Sequence, residues 1–450
     1  MTHSTRSRAP RLSFRAWLEY AFRSLVLALA VPILGPYYLI RAWSRETGVR
    51  GLAQRLGTLP PLFHQPAPGS IWIHAVSVGE AQAVAPLLPL LRCRYPERRI
   101  FVSTTTETGQ ALAAQKLAAD GTFYFPLDFA FACRRALRAI QPALVVIVET
   151  EFWPRFLREA RRAGAAVVVV NGRISDRSFG RYHFWRRSMR SILAHVDLFL
   201  MQTEEDARRI VAIGGESAHV SVCGNLKYDV PLPDTSPLAA WLENSLARAP
   251  RRPVLVAGSV VAGEESAVLE AFAAVRAEHP RALLVFAPRR PERFDPAAQL
   301  ATDSGYRVLR RSRLNLSTPL AESCDVLVLD SIGELASLYP LADVAFVGGS
   351  LVSSGGHNIL EPAAAGVPVL FGPSMENFAE IARLVLDAGA GLQINNAQHL
   401  GRACLDLLRD PARRSAMARA ASDLMGRNRG AAARALDRIA ALLDQVERAL

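Results

Sequence analysis

Three charged side chains in the first half of the chain have the types and settings that acid–base chemistry needs. Glu80 follows an apolar run in IWIHAVSVGEAQAV, where a strand should turn into a helix and place this carboxylate in the first helical turn. A carboxylate there either complements the helix dipole or serves as a general base toward a substrate hydroxyl. Glu149 ends another apolar run in IVETEFWPR, and Lys227 lies in VCGNLKYD. Because the chain has only two lysines among 53 basic residues, Lys227 either meets a need for a compact ammonium or persists by chance.

The second half carries loops of a kind that favours nucleotide binding. In FVGGSLVSSGGHNILEPA, glycines would let backbone N–H groups approach a phosphate, and Asn358 would start a helix. Glu361 then either completes a capping box or binds ribose hydroxyls. Arg289, Arg290 and residues 332–334 follow two further apolar runs. The absence of Walker, GxGxxG and DxD patterns disfavours an NTPase, a dehydrogenase and a metal-held diphosphate, so neither a metal nor a cofactor is expected.

These side chains need a scaffold, and the alternation of short apolar runs with helical-period segments predicts a parallel α/β fold. The segment DVPLPDTSP divides the pattern, giving a Rossmann-like domain over residues 51–230 and another over residues 231–450 that ends in helices. Two doubly wound domains are expected to face each other across a cleft that holds the active site. The predicted strands are SIWIHAV, RIFVSTT, GTFYFPL, ALVVIVE, AAVVVVN, LFLMQ, HVSVCGN, PVLVAGS, ALLVFAP, VLVLDS, VAFVGGS and VPVLFG.

Residues 1–50 differ from the rest, with eight arginines against two glutamates. The uncharged stretch SLVLALAVPILGPYYLI between Arg23 and Arg41 predicts an N-terminal membrane anchor helix, either spanning or monotopic, with a buried core helix as the alternative. Ten arginines crowd residues 155–190, and the chain carries a net charge of +12. A solvated helix face is the usual explanation of such a run, but beside an anchor an anionic membrane surface is the favoured partner, ahead of nucleic acid. Five scattered cysteines exclude a disulfide scaffold and fit a reducing compartment.

Seven segments together resemble the Kdo (3-deoxy-D-manno-octulosonic acid) transferases: SVGE, TETGQ, VETEFWP, NLKYD, PRRPERF, FVGGSLVSSGGHNILEPA and FGPSMENF. The resemblance implies the GT-B architecture, with acceptor binding in the first domain and sugar-nucleotide binding in the second. It implies CMP-Kdo as the donor and a lipid A precursor as the acceptor, a phosphorylated, acylated glucosamine disaccharide of the lipid IVA type. It also implies that the reaction takes place at the cytoplasmic side of the bacterial inner membrane.

The resemblance also assigns roles to residues of this sequence. Glu80 resembles the catalytic base, and Glu149 and Lys227 resemble the positions that stabilise the transition state. The chain departs from the family at Val261, Arg290 and Ser374, three positions at which histidine is common. The segments that resemble the family's CMP contacts are Pro288, Arg289, Ile332, Gly333, Glu334, Asn358, Ile359, Leu360 and Glu361.

The function expected from the sequence is that of an inverting, membrane-anchored glycosyltransferase that adds Kdo to a lipid A precursor. One alternative is another GT-B enzyme, either a UDP-sugar transferase or a sugar-nucleotide epimerase. Another is a non-catalytic, membrane-bound scaffold that keeps a nucleotide-binding fold.

Overall fold

A computed structural model describes residues 46–64, 69–229, 236–248, 253–321 and 323–448. The apolar stretch predicted to anchor the chain, residues 24–40, lies outside these ranges. Among the described residues, no helix combines the length and the apolar character that crossing a membrane would require. Two compact units are present, one comprising the described residues up to Asp229 together with those from Arg429 onward, and the other the residues between them.

The first unit is built on a seven-stranded parallel sheet in the order β3-β2-β1-β4-β5-β6-β7. Its strands are β1 Ser70–His74, β2 Ile100–Thr104, β3 Gly121–Tyr124, β4 Pro142–Val148, β5 Ala166–Gly172, β6 Leu198–Met201 and β7 Val220–Val222. Its helices are Glu46–Arg55, Val78–Val84, Leu87–Arg94, Glu107–Lys116, Ala130–Ile140, Pro154–Arg162, Asp176–Phe184, Arg186–Leu193, Glu204–Ala212 and Ala431–Arg448. Short 3-10 helices cover Pro61–His64, Ser217–His219 and Leu226–Tyr228.

Both faces of this sheet are buried, which explains why its central strands are almost continuously apolar. Along β4, Leu144 and Val146 belong to one hydrophobic cluster, whereas Val145 and Ile147 belong to the cluster on the opposite face. Parallel sheets are typically covered on both sides by their crossover helices. The strand order reverses between β1 and β4, so the loops that follow these two strands leave the same edge of the sheet side by side.

The second unit repeats the plan with a parallel sheet in the order β10-β11-β9-β8-β12-β13-β14. Its strands are β8 Val254–Val260, β9 Leu283–Pro288, β10 Val308–Arg310, β11 Val326–Val328, β12 Val344–Val347, β13 Val369–Phe371 and β14 Gly391–Gln393. Its helices are Pro237–Arg248, Glu265–Glu278, Phe294–Asp303, Leu360–Ala364, Ala379–Asp387, Ala397–Arg409 and Pro411–Asn428. Short 3-10 helices cover Pro291–Arg293, Arg311–Arg313, Leu335–Leu341 and Glu376–Phe378.

The course of the last helix differs from the expected division at residues 230 and 231. Residues 429–448 pack on the first unit instead of the second. The buried side chains of Ala435, Ile439 and Leu443 join the hydrophobic cluster that contains Leu87 and Leu91. Burial of this apolar stripe against the first sheet explains why the chain returns.

Candidate functional site

Glu80 lies at the carboxyl edge of the first sheet, in the helix that follows β1. Ser77 caps this helix, and its hydroxyl accepts a hydrogen bond from the backbone N–H of Glu80. The Glu80 carboxylate in turn accepts from the Val76 N–H at 2.7 Å and from the Ser77 hydroxyl at 3.1 Å. The residue is 7% exposed, so the carboxylate is held in one orientation in a largely dehydrated setting.

The electrostatic setting of Glu80 suits a general base. Burial, together with the nearby Glu149 and Glu151 carboxylates, raises the pKa of Glu80 to about 8, although the Val76 N–H and the Ser77 hydroxyl lower it. A base works best when its pKa lies near the working pH, because it then combines adequate ionisation with strong proton affinity. Burial and Glu149 also raise the pKa of Glu151.

The structure brings Glu149 and Lys227 together beside Glu80. Glu149 follows β4 in the left-handed conformation (φ 60°), and its N–H donates to the carbonyl of Val170 at 2.8 Å. Its Oε1 lies 3.6 Å from the Lys227 ammonium, which projects from the 3-10 helix Leu226–Tyr228. This 3-10 helix packs on the helix that carries Glu80. The three charged residues singled out in the first half of the sequence therefore share one edge of one sheet.

Sequence reasoning missed Asn171, which anchors the turn that carries Lys227. Asn171 is 2% exposed and adopts φ 54° at the end of β5. Its Oδ1 accepts from the N–H of Leu226 at 2.9 Å, and its carbonyl accepts from the Gln202 side chain at 3.0 Å. The Nδ2 atom is buried and has no hydrogen-bond partner among the described residues. The available signal was the Asn-Gly pair after a run of valines, since both residues tolerate a positive φ.

In the second unit, the glycine loop after β12 is organised around a residue that sequence reasoning also missed. Glu264 is fully buried, and its carboxylate accepts from the N–H groups of Gly349, Ser350 and Leu351 at 2.7–2.9 Å, as well as from Val261 at 3.1 Å. The expectation that the amides of this loop cradle a phosphate is therefore wrong for these three groups. A protein carboxylate already occupies them, because β8 and β12 are neighbours in the sheet.

Close packing explains the glycines of this loop better than phosphate approach does. A Cβ on Gly349 would lie 2.7 Å from the His357 ring, and one on Gly355 would lie 2.2 Å from the Asn377 side chain. The His357 ring is itself half-buried, and burial together with Arg289 and Arg290 lowers its pKa to about 4. His357 is therefore neutral at physiological pH, and the positive charge at this edge comes from the two arginines.

The predicted helix start at Asn358 is also placed differently. The helix begins at Leu360, and Asn358 Oδ1 accepts from the Leu360 N–H at 3.1 Å. Glu361 accepts at 3.3 Å from the Asn358 side chain instead of its backbone, so a full capping box does not form. Ile359 and Leu360 are buried, backbone included, so neither offers an accessible surface for contact with a ligand.

The remaining predicted nucleotide contacts follow β9 and β11, next to each other in the sheet. Pro288 ends β9, and the Arg289 N–H donates to the carbonyl of Val260 at 2.8 Å. Ile332 is 70% exposed, and Gly333 has φ 97°. The Glu334 carboxylate accepts from Arg311 at 3.0 Å and from the Ser331 hydroxyl, so it is engaged within the protein.

The three positions that depart from the resembled family, Val261, Arg290 and Ser374, lie around the glycine loop after β12. Ser374 accepts from the Gly355 N–H at 3.0 Å and donates to Glu376 at 2.8 Å. Arg290 pairs with Glu292 at 3.6 Å, and Val261 contributes its N–H to the Glu264 carboxylate. Within the described ranges, no group of three or more His, Cys, Asp or Glu side chains is arranged to hold a metal ion.

Comparison with known proteins adds family information to this geometry. Residues 50–230 match the family model described as 3-deoxy-D-manno-octulosonic-acid transferase (kdotransferase), and residues 265–423 match that of the glycosyl transferases group 1. A 3-deoxy-D-manno-octulosonic acid transferase from Bordetella pertussis is 36% identical over 427 residues, which cover 92% of this chain and 97% of that protein. One from Haemophilus influenzae is 34% identical over 389 residues, covering 84% of this chain and 88% of its own length.

A solved structure supports the fold independently. A Listeria monocytogenes protein assigned as a UDP-N-acetylglucosamine 2-epimerase superposes with a TM-score of 0.52 over 84% of this chain and 98% of its own. At 17% identity, this likeness bears on the fold alone. The prediction of a GT-B-like α/β fold with two parallel sheets is confirmed.

Proposed function

Because the chain belongs to the 3-deoxy-D-manno-octulosonic acid transferase family and is thus a glycosyltransferase, we propose that it moves Kdo from CMP-Kdo to a lipid A precursor of the lipid IVA type. The observation that carries this proposal is the buried Glu80 carboxylate, with its raised pKa, beside the Glu149–Lys227 pair. An acceptor hydroxyl needs a base of this kind to become a nucleophile.

In the proposed reaction, Glu80 takes the proton of an acceptor hydroxyl as the oxygen attacks the anomeric carbon of Kdo. The new carbon–oxygen bond forms on the face opposite the CMP group, and the bond from the anomeric carbon to the phosphate oxygen breaks. CMP leaves with the electron pair of that bond, so the configuration inverts. The Val76 N–H and the Ser77 hydroxyl keep the base in place through the two oxygens of its carboxylate.

We assign stabilisation of the transition state to Glu149 and Lys227. The Lys227 ammonium offers positive charge to the anionic groups of the substrates, and the Glu149 carboxylate fixes its position at 3.6 Å. Fixed charges of this kind in a partly dehydrated site favour a charged transition state without reorganisation during the reaction.

We assign donor binding to the carboxyl edge of the second sheet. Arg289 would bind the phosphate. The nucleoside would be surrounded by Pro288, Ile332, Gly333, Glu334, Asn358 and Glu361, with the buried Ile359 and Leu360 supporting Asn358 and Glu361 from the protein interior. Because Glu264 occupies the N–H groups of residues 349–351, positive charge for the phosphate has to come from side chains such as Arg289. The Glu334 carboxylate, which already accepts from Arg311 and Ser331, would accept from a ribose hydroxyl on its exposed side.

An acylated acceptor implies work at a membrane surface. We propose that residues 1–50 anchor the chain to the bacterial inner membrane with both units on the cytoplasmic side. The arginines of residues 155–190 would contact anionic headgroups or the acceptor's phosphates, since guanidinium groups suit bidentate phosphate binding.

The test is CMP release from CMP-Kdo by the full-length chain with a lipid A precursor, with mass spectrometry of the product. Glu80→Gln should reduce transfer at least about a hundredfold, as expected for loss of a general base, while CMP still raises the Tm. Glu107→Gln is the matched control, because Glu107 occupies the first turn of the next crossover helix but is exposed. Near-normal transfer by folded Glu80→Gln protein would remove Glu80 from the mechanism, and protection by UDP instead of CMP would redirect the donor assignment.

A further inference from the structure

Two exposed aromatic side chains of the first unit form a pair where two short helices meet. Phe184 ends the helix Asp176–Phe184, Trp185 links it to the helix Arg186–Leu193, and the two side chains are 80% and 52% exposed. Their rings contact each other edge to face, with centroids 5.3 Å apart. Leaving two large aromatic rings in water is unfavourable by roughly 25 cal/mol for each Å² of apolar surface, so a partner that covers them gains that energy.

The charged residues that flank this pair in the sequence are mostly basic. Residues 176–190 contain five arginines and a single acidic residue, Asp176. All five arginine side chains are exposed, and they lie on both sides of the aromatic pair: Arg177, Arg181, Arg186, Arg187 and Arg190. No residue of the helix Asp176–Phe184 is fully buried. Phe179 and Tyr182 pack on the hydrophobic core with part of their surface, which leaves Phe184 outside that contact.

We propose that Phe184 and Trp185 form an insertion tip that enters the headgroup region of an anionic lipid bilayer, with the five surrounding arginines bound to lipid phosphates. Aromatic rings are favoured at the membrane interface, and basic residues near an anionic leaflet contribute about 1 kcal/mol each. A second copy of the chain is a poorer partner, since a symmetric contact would bring two sets of five arginines together. Single-stranded nucleic acid is poorer too, because the rings meet at 86° and offer no stacked platform for bases.

This insertion tip is connected to the loop that carries Glu149. Tyr182, in the same helix as Phe184, contacts Phe152 with ring centroids 6.0 Å apart. The Thr150 hydroxyl donates to the carbonyl of Arg173 at 2.7 Å, just before that helix. The tip and the Glu149–Lys227 pair therefore belong to one connected part of the first unit, and insertion would bring this edge to acceptors in the bilayer. This inference rests on the proposed function for its role in catalysis, but not for lipid binding.

The direct test measures the depth of Trp185 in the full-length chain reconstituted into vesicles of phosphatidylglycerol and phosphatidylethanolamine. Brominated lipids should quench a component of the tryptophan fluorescence that disappears in Trp185→Phe, and the quenching should weaken at high salt or in vesicles without phosphatidylglycerol. Equal quenching of the wild-type and Trp185→Phe proteins would overturn the proposal, because Trp185 would then lie in water.

A second test compares Kdo transfer to an acceptor in anionic vesicles with transfer to the same acceptor dispersed in detergent. The double variant Phe184→Ser/Trp185→Ser should lower the vesicle-to-detergent activity ratio at least tenfold. Phe131→Ser, which removes another exposed aromatic ring (54% exposed) from the first unit, should leave the ratio unchanged. If the double variant changed the sedimentation coefficient of the protein but kept the wild-type fluorescence quenching and the wild-type vesicle-to-detergent activity ratio, Phe184 and Trp185 would belong to a subunit interface instead. Absence of Kdo transfer by the wild type in both settings would contradict the proposed function, whereas the quenching result would still decide the insertion tip.

Discussion

At the scale of single residues, the carboxyl edge of the first sheet concentrates negative charge around one buried group. Glu80 has both carboxylate oxygens engaged within its own turn, and Glu149 and Glu151 add to the effect of burial on its pKa. Glu149 has a cation at short range, the Lys227 ammonium at 3.6 Å, whereas no ion pair forms between Glu80 or Glu151 and a cation of the described residues. The site thus contains one carboxylate that is suited to accept a proton, Glu80, and a second carboxylate, Glu149, that forms an ion pair with Lys227.

The pH dependence of transfer should report this arrangement. Because only ionised Glu80 can accept a proton, kcat/KM should rise with pH and level off above the pKa of about 8. Glu151→Gln removes one of the charges that raise this pKa, so the rise should move to lower pH by about half a unit. Glu97→Gln, at an exposed position far along the chain from this loop, is the control. If kcat/KM rose at the same pH in Glu151→Gln as in the wild type, the pH profile would report the titration of a group other than Glu80.

A second residue-scale prediction concerns Asn171 as a positioning residue for Lys227. Asn171→Ala removes the acceptor of the Leu226 N–H, so kcat should fall about tenfold, which corresponds to ~1.4 kcal/mol, with little change in the donor KM. In a Lys227→Ala background, the same substitution should cause no further fall in kcat. Asn396→Ala, which removes a comparable acceptor for the His399 N–H in the second unit, should lower Tm without this kcat effect. If Asn171→Ala lowered kcat by the same factor in the Lys227→Ala background as in the wild type, Asn171 would not act through Lys227.

At the scale of elements, the glycine loop after β12 depends on one side chain from the neighbouring strand-to-helix connection. Glu264 satisfies three consecutive N–H groups of the loop, which would otherwise be buried without acceptors. Ser350 continues the network, since its hydroxyl accepts from the Gly372 N–H at 2.8 Å. The ends of β8, β12 and β13 are thereby joined into one rigid edge.

Substitution of Glu264 should therefore lower the free energy of unfolding strongly, although this residue lies in a short connection between a strand and a helix. Glu264→Ala leaves several buried N–H groups unpaired, for which about 3–5 kcal/mol and a fall in Tm of several degrees are expected. Glu264→Gln keeps one oxygen acceptor and should cost less. Calorimetry provides the measurement, with the exposed Glu270→Ala as control. An unchanged Tm in Glu264→Ala would refute the role of this carboxylate.

The sequence predicted most of these elements but not their mutual support. Twelve strands could be predicted from their apolar runs. The two that were missed, β10 (VLR) and β14 (GLQ), are the edge strands of the second sheet, are partly exposed and end in a polar residue. Glu80 and Glu149 were found because each follows a predicted strand, and Lys227 was found because lysine is rare in this chain. Glu264 and Asn171 escaped because their partners, Gly349 and Leu226, lie 85 and 55 residues away along the chain. Such contacts depend on sheet order, which a single sequence does not reveal.

At the scale of the whole molecule, the first unit includes a helix that follows the second unit in the sequence. The helix Ala431–Arg448 packs on Leu87–Arg94, on β5 and on the 3-10 helix that carries Lys227. Asp229 binds the start of this helix, accepting from the Gly430 N–H at 2.6 Å and also from the Ala432 N–H. A residue that directly follows the Lys227 turn therefore secures the last helix to the first sheet.

Weaker packing of the helix Ala431–Arg448 should increase local opening in the first unit but not in the second. Ile439→Ala removes a fully buried side chain, with an expected cost of about 2–5 kcal/mol. Hydrogen exchange followed by mass spectrometry should accelerate in residues 87–94 and 166–172, while peptides from the second sheet keep their rates. Asp437→Ala changes an exposed position of the same helix and should have no such effect. Faster exchange spread evenly over both units would contradict this division.

The position of the helix Ala431–Arg448 on the first unit also affects how this unit folds during translation. Asp229 leaves the ribosome 201 residues before Gly430, the residue whose N–H it binds. While those residues are translated, the nascent first unit lacks the cover for Leu87, Leu88 and Leu91. We therefore expect chaperones to bind this uncovered face during translation, and the 3-10 helix that carries Lys227 to adopt its final position only after the helix Ala431–Arg448 has been made.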